Sequence, residues 1–212
     1  MRIGLVSLIA VIFLSGCIEI VESIKVNEDT SGTIQYRVMS SETGALLGSF
    51  SGLINNSIED QLRSEASKLV FILKQQEGIS NVKYELKNLN GEFYVRFDFA
   101  SSEQFNKALY QMGGYKKTCL SPGYLKVKKH KVKKRNFTPW LHTYLKKEKI
   151  EILDSFLPEM LYFTSIIELP GVIRKVKPEN MSVTDNNTIV QQRLSFDEIL
   201  NDNESTGLKV RY

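Results

Sequence analysis

Residues 82–99 read Val82-Lys83-Tyr84-Glu85-Leu86-Lys87-Asn88-Leu89-Asn90-Gly91-Glu92-Phe93-Tyr94-Val95-Arg96-Phe97-Asp98-Phe99. Val82, Tyr84 and Leu86 alternate with Lys83, Glu85 and Lys87. Phe93, Val95, Phe97 and Phe99 alternate with Tyr94, Arg96 and Asp98. A period of two puts each set on its own face of a strand, one face apolar and one wet. Asn90-Gly91 between the runs is the strongest short hairpin signal, because both residues tolerate the positive φ angles of a tight turn.

The same reading extends outward. Upstream, Ile58, Leu62, Ala66, Leu69 and Leu73 recur at steps of three and four, which predicts a helix. Ser57 is placed to cap it, with Asp60 three residues on, and Gly78 ends it. Before that helix, Ile24 and Val26 flank Lys25, a polar turn spans residues 28–32, and Ile34, Tyr36 and Val38 alternate with Gln35 and Arg37. This is a second hairpin with one wet face. Downstream, Phe105, Ala108, Leu109 and Met112 mark a helix from Ser102 that Gly113-Gly114 stops. The fold expected is α+β: an antiparallel sheet made of two hairpins, packed with two helices on one face, followed by a β-rich second half.

That second half offers strands through Phe163, Ser165, Ile167 and Leu169, then over 172–176 and 189–194, a helical turn over 196–200, and a closing strand at Leu208, Val210 and Tyr212. Ile152 to Met160 reads as a short helix broken by Pro158. The expected organisation is a signal peptide over 1–16, a hairpin-helix-hairpin-helix unit over 17–115, a basic segment over 116–149, and a β-rich part over 150–212 that either extends the first sheet or forms a small subdomain.

The amino terminus carries a second signal. Arg2 is followed by twelve almost wholly apolar residues, Ile3 to Leu14. That is ~18 Å of helix, short of the roughly 20 residues a bilayer core needs. A charged start, a short apolar run and small residues behind it describe a secretory signal peptide. Leu14-Ser15-Gly16-Cys17 resembles the lipobox of bacterial lipoproteins. The resemblance implies cleavage before Cys17 and acylation of its thiol, so that acyl chains tie the protein to a membrane on the exported side. More than one chain is needed for stable anchoring, since a single chain holds only marginally. Position 18 is isoleucine rather than the aspartate that retains enteric lipoproteins at the inner membrane, so the outer membrane is favoured in a two-membrane cell. Val26 to Gly32 and Leu169-Pro170-Gly171 also resemble segments of LppM-type envelope lipoproteins. That resemblance implies lipid binding at the envelope.

With 42% hydrophobic and 25% charged residues the chain has the composition of a folded protein. Its +4 total hides a strong segregation: residues 116–149 contain twelve lysines and arginines against one acidic residue, Glu148. Lys126, Lys128, Lys129, Lys131, Lys133, Lys134 and Arg135 form the densest run, with Phe137, Trp140 and Tyr144 directly after it. Leu125 and Val127 alternate with Lys126 and Lys128, whereas Val132 falls on the opposite parity, which predicts a bulge or a loop. Cations beside aromatic side chains suit an anionic headgroup surface. The segment 125–144, with Trp140 among its contacts, is therefore the candidate site for anionic lipid, glycan or an envelope protein. A solvated face that protects an edge strand is the competing reading. Nucleic acid is not expected, because an exported, lipidated protein does not meet it.

Chemistry for catalysis is missing from the pattern. Residues 44–54 are rich in glycine but lack a phosphate-loop ending, and Gly48-Ser49-Phe50-Ser51-Gly52 puts phenylalanine where a nucleophile elbow needs serine. There is no zinc or calcium spacing. His130 lies among lysines, which depress a base, and only folding would bring His142 to Asp154 or Glu159. Cys119 has no partner once Cys17 is acylated, and reads as a buried or idle thiol. The function expected is that of a lipid-anchored, non-enzymatic binding module without cofactor or metal. The alternative is a scaffold or assembly subunit in which Cys17 supplies only the tether.

Overall fold

Alternating side chains become paired strands. In the computed structural model, which describes residues 18–40, 56–87, 92–113, 115–148, 161–179, 181–184, 186–201 and 204–212, β1 (Ile18–Val26) and β2 (Gly32–Ser40) form the first hairpin. β3 (Ile79–Lys87) and β4 (Glu92–Phe99) form the second. The hairpins join through β2 and β4, antiparallel, with Ile34 opposite Phe97 and Tyr36 opposite Val95. Gly32 fits this junction because a Cβ there would lie 2.2 Å from the Lys25 carbonyl oxygen and 2.6 Å from the Phe99 ring.

The helices α1 (Asn56–Lys74) and α2 (Ser102–Met112) cover the apolar face. Ala66, Val70 and Leu73 of α1 are buried, and Phe105 of α2 stacks on Phe97 at a centroid distance of 6.1 Å and packs tilted against Phe99 at 5.5 Å. The Ser101 hydroxyl caps α2 by accepting from the Gln104 N–H, and Gly113 closes its end. Gly78 follows α1 with φ +73°, a conformation that favours glycine, and a Cβ there would meet Gln104.

The two hairpins form the antiparallel sheet expected of them, and strands of the second half extend it. β7 (Leu161–Glu168) runs parallel to β1, so the sheet is mixed. With β10 (Ile189–Ser195) and β9 (Ser182–Thr184) it has the order β3-β4-β2-β1-β7-β10-β9. β7 takes this place because Leu161, Phe163, Ser165 and Ile167 are all buried beside the inward side chains of β1.

Four shorter strands form a second sheet in the order β5 (Leu125–Lys128), β6 (Lys131–Lys134), β11 (Leu208–Arg211), β8 (Lys175–Lys177). Its inward residues Leu125, Val132, Leu208 and Val210 share one hydrophobic cluster with Ile24, Ile34, Phe97, Ile167 and Val190 of the first sheet. The sheets therefore pack face to face. The change of parity at Val132 is not a bulge. The two residues Lys129-His130 make the turn, so Val127 pairs with Val132 and an odd position faces an even one. The strand expected over 172–176 begins only at Lys175.

Residues 138–148, read as a polar and aromatic continuation of the basic run, form a helix, α3 (Thr138–Glu148). Its start makes sense locally: Asn136 Oδ1 accepts from the Thr138 N–H, and Pro139 lies in the first turn, where no partner for an N–H is needed. Phe137 and Leu141 pack on Phe163, Leu194 and Ile199, together with Phe196 of α4 (Phe196–Leu200), the expected helical turn. Cys17, the helix expected over 152–160 and the glycine-rich segment 44–54 lie outside the described residues.

Candidate functional site

The outward side chains of the second sheet are nearly all cationic. Register sets them in two ranks. Lys126, Lys133, Lys209 and Lys177 lie side by side across β5, β6, β11 and β8. Lys128, Lys131, Arg211 and Lys175 do the same two residues along. Between the ranks Val127, Val132, Val210 and Val176 turn inward. Neighbours within a rank are ~4.8 Å apart at the backbone and the ranks ~7 Å apart. None of the four strands contains an acidic residue. Six of the eight side chains are exposed, while Lys131 and Lys209 are half-buried.

Like charges directly opposite on a sheet repel. The crowding is felt at Lys131, whose ammonium is held below its ordinary pKa, chiefly by Lys209, then by partial desolvation, then by Arg211, Lys128 and Lys133. A groove of about 730 Å³ borders this face, between the start of α2 and β5, lined among others by Glu103, Asn106, Lys117, Lys126, Lys133 and Arg135. A smaller hollow of about 130 Å³ lies among Lys175, Lys177, Lys209 and Arg211.

The groove wall is rigid because Asn106 extends the β-ladder. Its amide donates to the Leu125 carbonyl at 2.7 Å, and its Oδ1 accepts from the N–H groups of Tyr124 and Leu125 at 2.7 and 2.9 Å. A buried asparagine thus satisfies an edge that would otherwise leave polar groups unpaired.

Of the residues expected to bind, Lys126, Lys128, Lys131, Lys133 and Arg135 are brought together on or beside this face. Lys129 sits in the hairpin turn. Lys134 is corrected: it points inward and is fully buried, with its Nζ 2.9 Å from Glu22 Oε2 and 2.6 Å from Ser165 Oγ. It cannot meet an external ligand. Trp140 is exposed, on α3, a different element. His130 and Tyr212 form a T-shaped ring pair, 6.2 Å between centroids, and Cys119 is an exposed thiol.

Sequence reading left out Lys175, Lys177, Lys209 and Arg211, half of the array. The alternation Leu208-Lys209-Val210-Arg211 was a strand signal, but only the sheet order places it beside Lys131 and Lys133. Among the described residues no three His, Cys, Asp or Glu side chains gather as a metal site would require, and no helix is long and apolar enough to cross a membrane.

No protein-family model matches the chain, and no curated protein matches it. Among solved structures it is similar to the NMR structure of the folded domain of Mycobacterium tuberculosis LppM, with 11% identity, a TM-score of 0.43, and coverage of 94% of this chain and 92% of that one.

Proposed function

We propose that the protein is a lipid-anchored, non-enzymatic envelope protein that docks on an anionic headgroup surface through the outer face of its second sheet. The observation that carries this is the array itself: two ranks of four cations in register, on four strands that contain no acidic residue. Each lysine near an anionic leaflet contributes ~1 kcal/mol, and a flat array lets several act together. A lipid on Cys17 would add a tether with almost no slack, because β1 begins at the next residue, Ile18.

The test separates the face from the anchor. The full chain is partitioned between phosphatidylglycerol-containing and pure phosphatidylcholine vesicles, since the hydrophobic amino terminus inserts into both alike. The native chain should prefer the anionic vesicles by at least about tenfold at low salt and lose that preference at high salt. The variant Lys126→Gln, Lys133→Gln, Lys177→Gln, Lys209→Gln, which removes one of the two ranks, should lose most of that preference. An undiminished preference in the variant would contradict the proposal.

A further inference from the structure

The connection from α2 to β5 is a built loop rather than slack chain. The Tyr115 N–H donates to the Tyr110 carbonyl at 2.9 Å, and the Tyr110 hydroxyl donates to the Pro122 carbonyl at 3.0 Å, tying its two ends. At its tip the Ser121 N–H donates to the Thr118 carbonyl at 3.1 Å, and the Thr118 N–H donates to Ser121 Oγ at 2.9 Å. Cys119 and Leu120 are the two central residues of this turn. Leu120 is 91% exposed, and Tyr115 nearby is 49% exposed.

A single exposed leucine is ordinary on a protein surface. Leu120 differs in its setting. It sits in a hydrogen-bonded turn, Lys116 and Lys117 precede it, and Lys117 lines the same groove as Lys126, Lys128 and Lys133. Lys117, three residues before the apolar tip, therefore ties the loop to the groove beside the cationic array.

We infer that the 115–122 loop is a membrane wedge: when the cationic face rests on anionic headgroups, Leu120 enters the acyl region and Tyr115 lies at the interface. The occupant follows from charge, since cations around an apolar tip match an anionic surface with hydrocarbon beneath it, and a tyrosine is suited to the boundary. The inference rests on the docking proposed above and adds penetration to it.

Trp140 is the only tryptophan of the chain, so Leu120→Trp in a Trp140→Phe background gives a single probe at the tip. In the full chain, its emission should move to the blue on phosphatidylglycerol-containing vesicles and be quenched by chain-brominated lipid. Leu120→Ser should weaken the preference for anionic vesicles about tenfold, the scale expected for one leucine side chain withdrawn from water. An indole that stays in water, or an unchanged preference in Leu120→Ser, while the lysine-dependent preference persists, overturns the wedge and leaves docking standing. Absence of any lysine-dependent preference in the native chain overturns both.

Discussion

Glu22 and Lys134 place opposite charges where water does not reach. Both side chains are fully buried. Tyr124 donates to Glu22 Oε1 at 2.7 Å, Ser165 Oγ lies 3.0 Å from Oε2, and the Phe163 ring lies 4.8 Å from the ammonium. Desolvating two ions costs several kcal/mol each, and their attraction offsets this only while both are present. Lys134→Gln should therefore destabilise the fold by about 3–5 kcal/mol in urea unfolding, whereas Glu22→Leu with Lys134→Met should recover much of the loss. Equal losses in the single and the double variant would contradict this. Alkali adds a second test. Burial first, and the Glu22 charge second, raise the phenols of Tyr36 and Tyr124 well above 10.0. A raised pKa gives stability that is complete below the ordinary value and lost as pH rises past it. Burial lowers the Lys134 pKa against the pull of Glu22, and a lowered amine pKa works in the opposite sense to the two phenols. Stability should fall above about pH 10, and less steeply in Tyr36→Phe.

The four-stranded sheet carries its own strain. Lys126-Lys133-Lys209-Lys177 and Lys128-Lys131-Arg211-Lys175 are rows of adjacent like charges, each pair unfavourable by up to ~1 kcal/mol. Added salt screens them, with a Debye length of ~10 Å at 0.1 M. The melting temperature should rise between low and moderate salt, and Lys177→Gln with Lys209→Gln should raise it at low salt and flatten the salt response. A native protein that is less stable in salt would argue against uncompensated crowding. Legibility also divides by element. Both hairpins and α1 and α2 could be read because a period of two or 3.6 runs through most of their length; in β3 it holds only from Val82 on, since the register shifts between Ser80 and Lys83. The β5–β6 hairpin was half hidden: Lys129-His130 has none of the usual turn residues, so only the shifted parity of Val132 marks the reversal. α3 went unread because aromatics and lysines obscure its Phe137–Leu141 spacing, although Asn136 and Pro139 signalled its start. Lys134 looked like its neighbours because a cation's burial depends on a partner far away in sequence, here Glu22.

Across the whole molecule the two outer faces differ in kind. The wet face of the seven-stranded sheet mixes charges: Lys25 pairs with Glu168, Arg193 with Glu19, and Asp98 accepts from Thr33 and Asn81. The outer face of the four-stranded sheet is cationic throughout its strands. That asymmetry is a consequence of topology. Residues 125–134, 175–177 and 208–211 are far apart in the chain, and the order β5-β6-β11-β8 gathers their lysines on one side. The most direct measurement is amine labelling of the full chain on phosphatidylglycerol-containing and on phosphatidylcholine vesicles, read lysine by lysine by mass spectrometry. Lys126, Lys128, Lys133, Lys175 and Lys177 should lose reactivity together on the anionic vesicles alone, while Lys25 and Lys83 of the opposite face keep theirs. Equal labelling of both faces on the two kinds of vesicle would contradict the account.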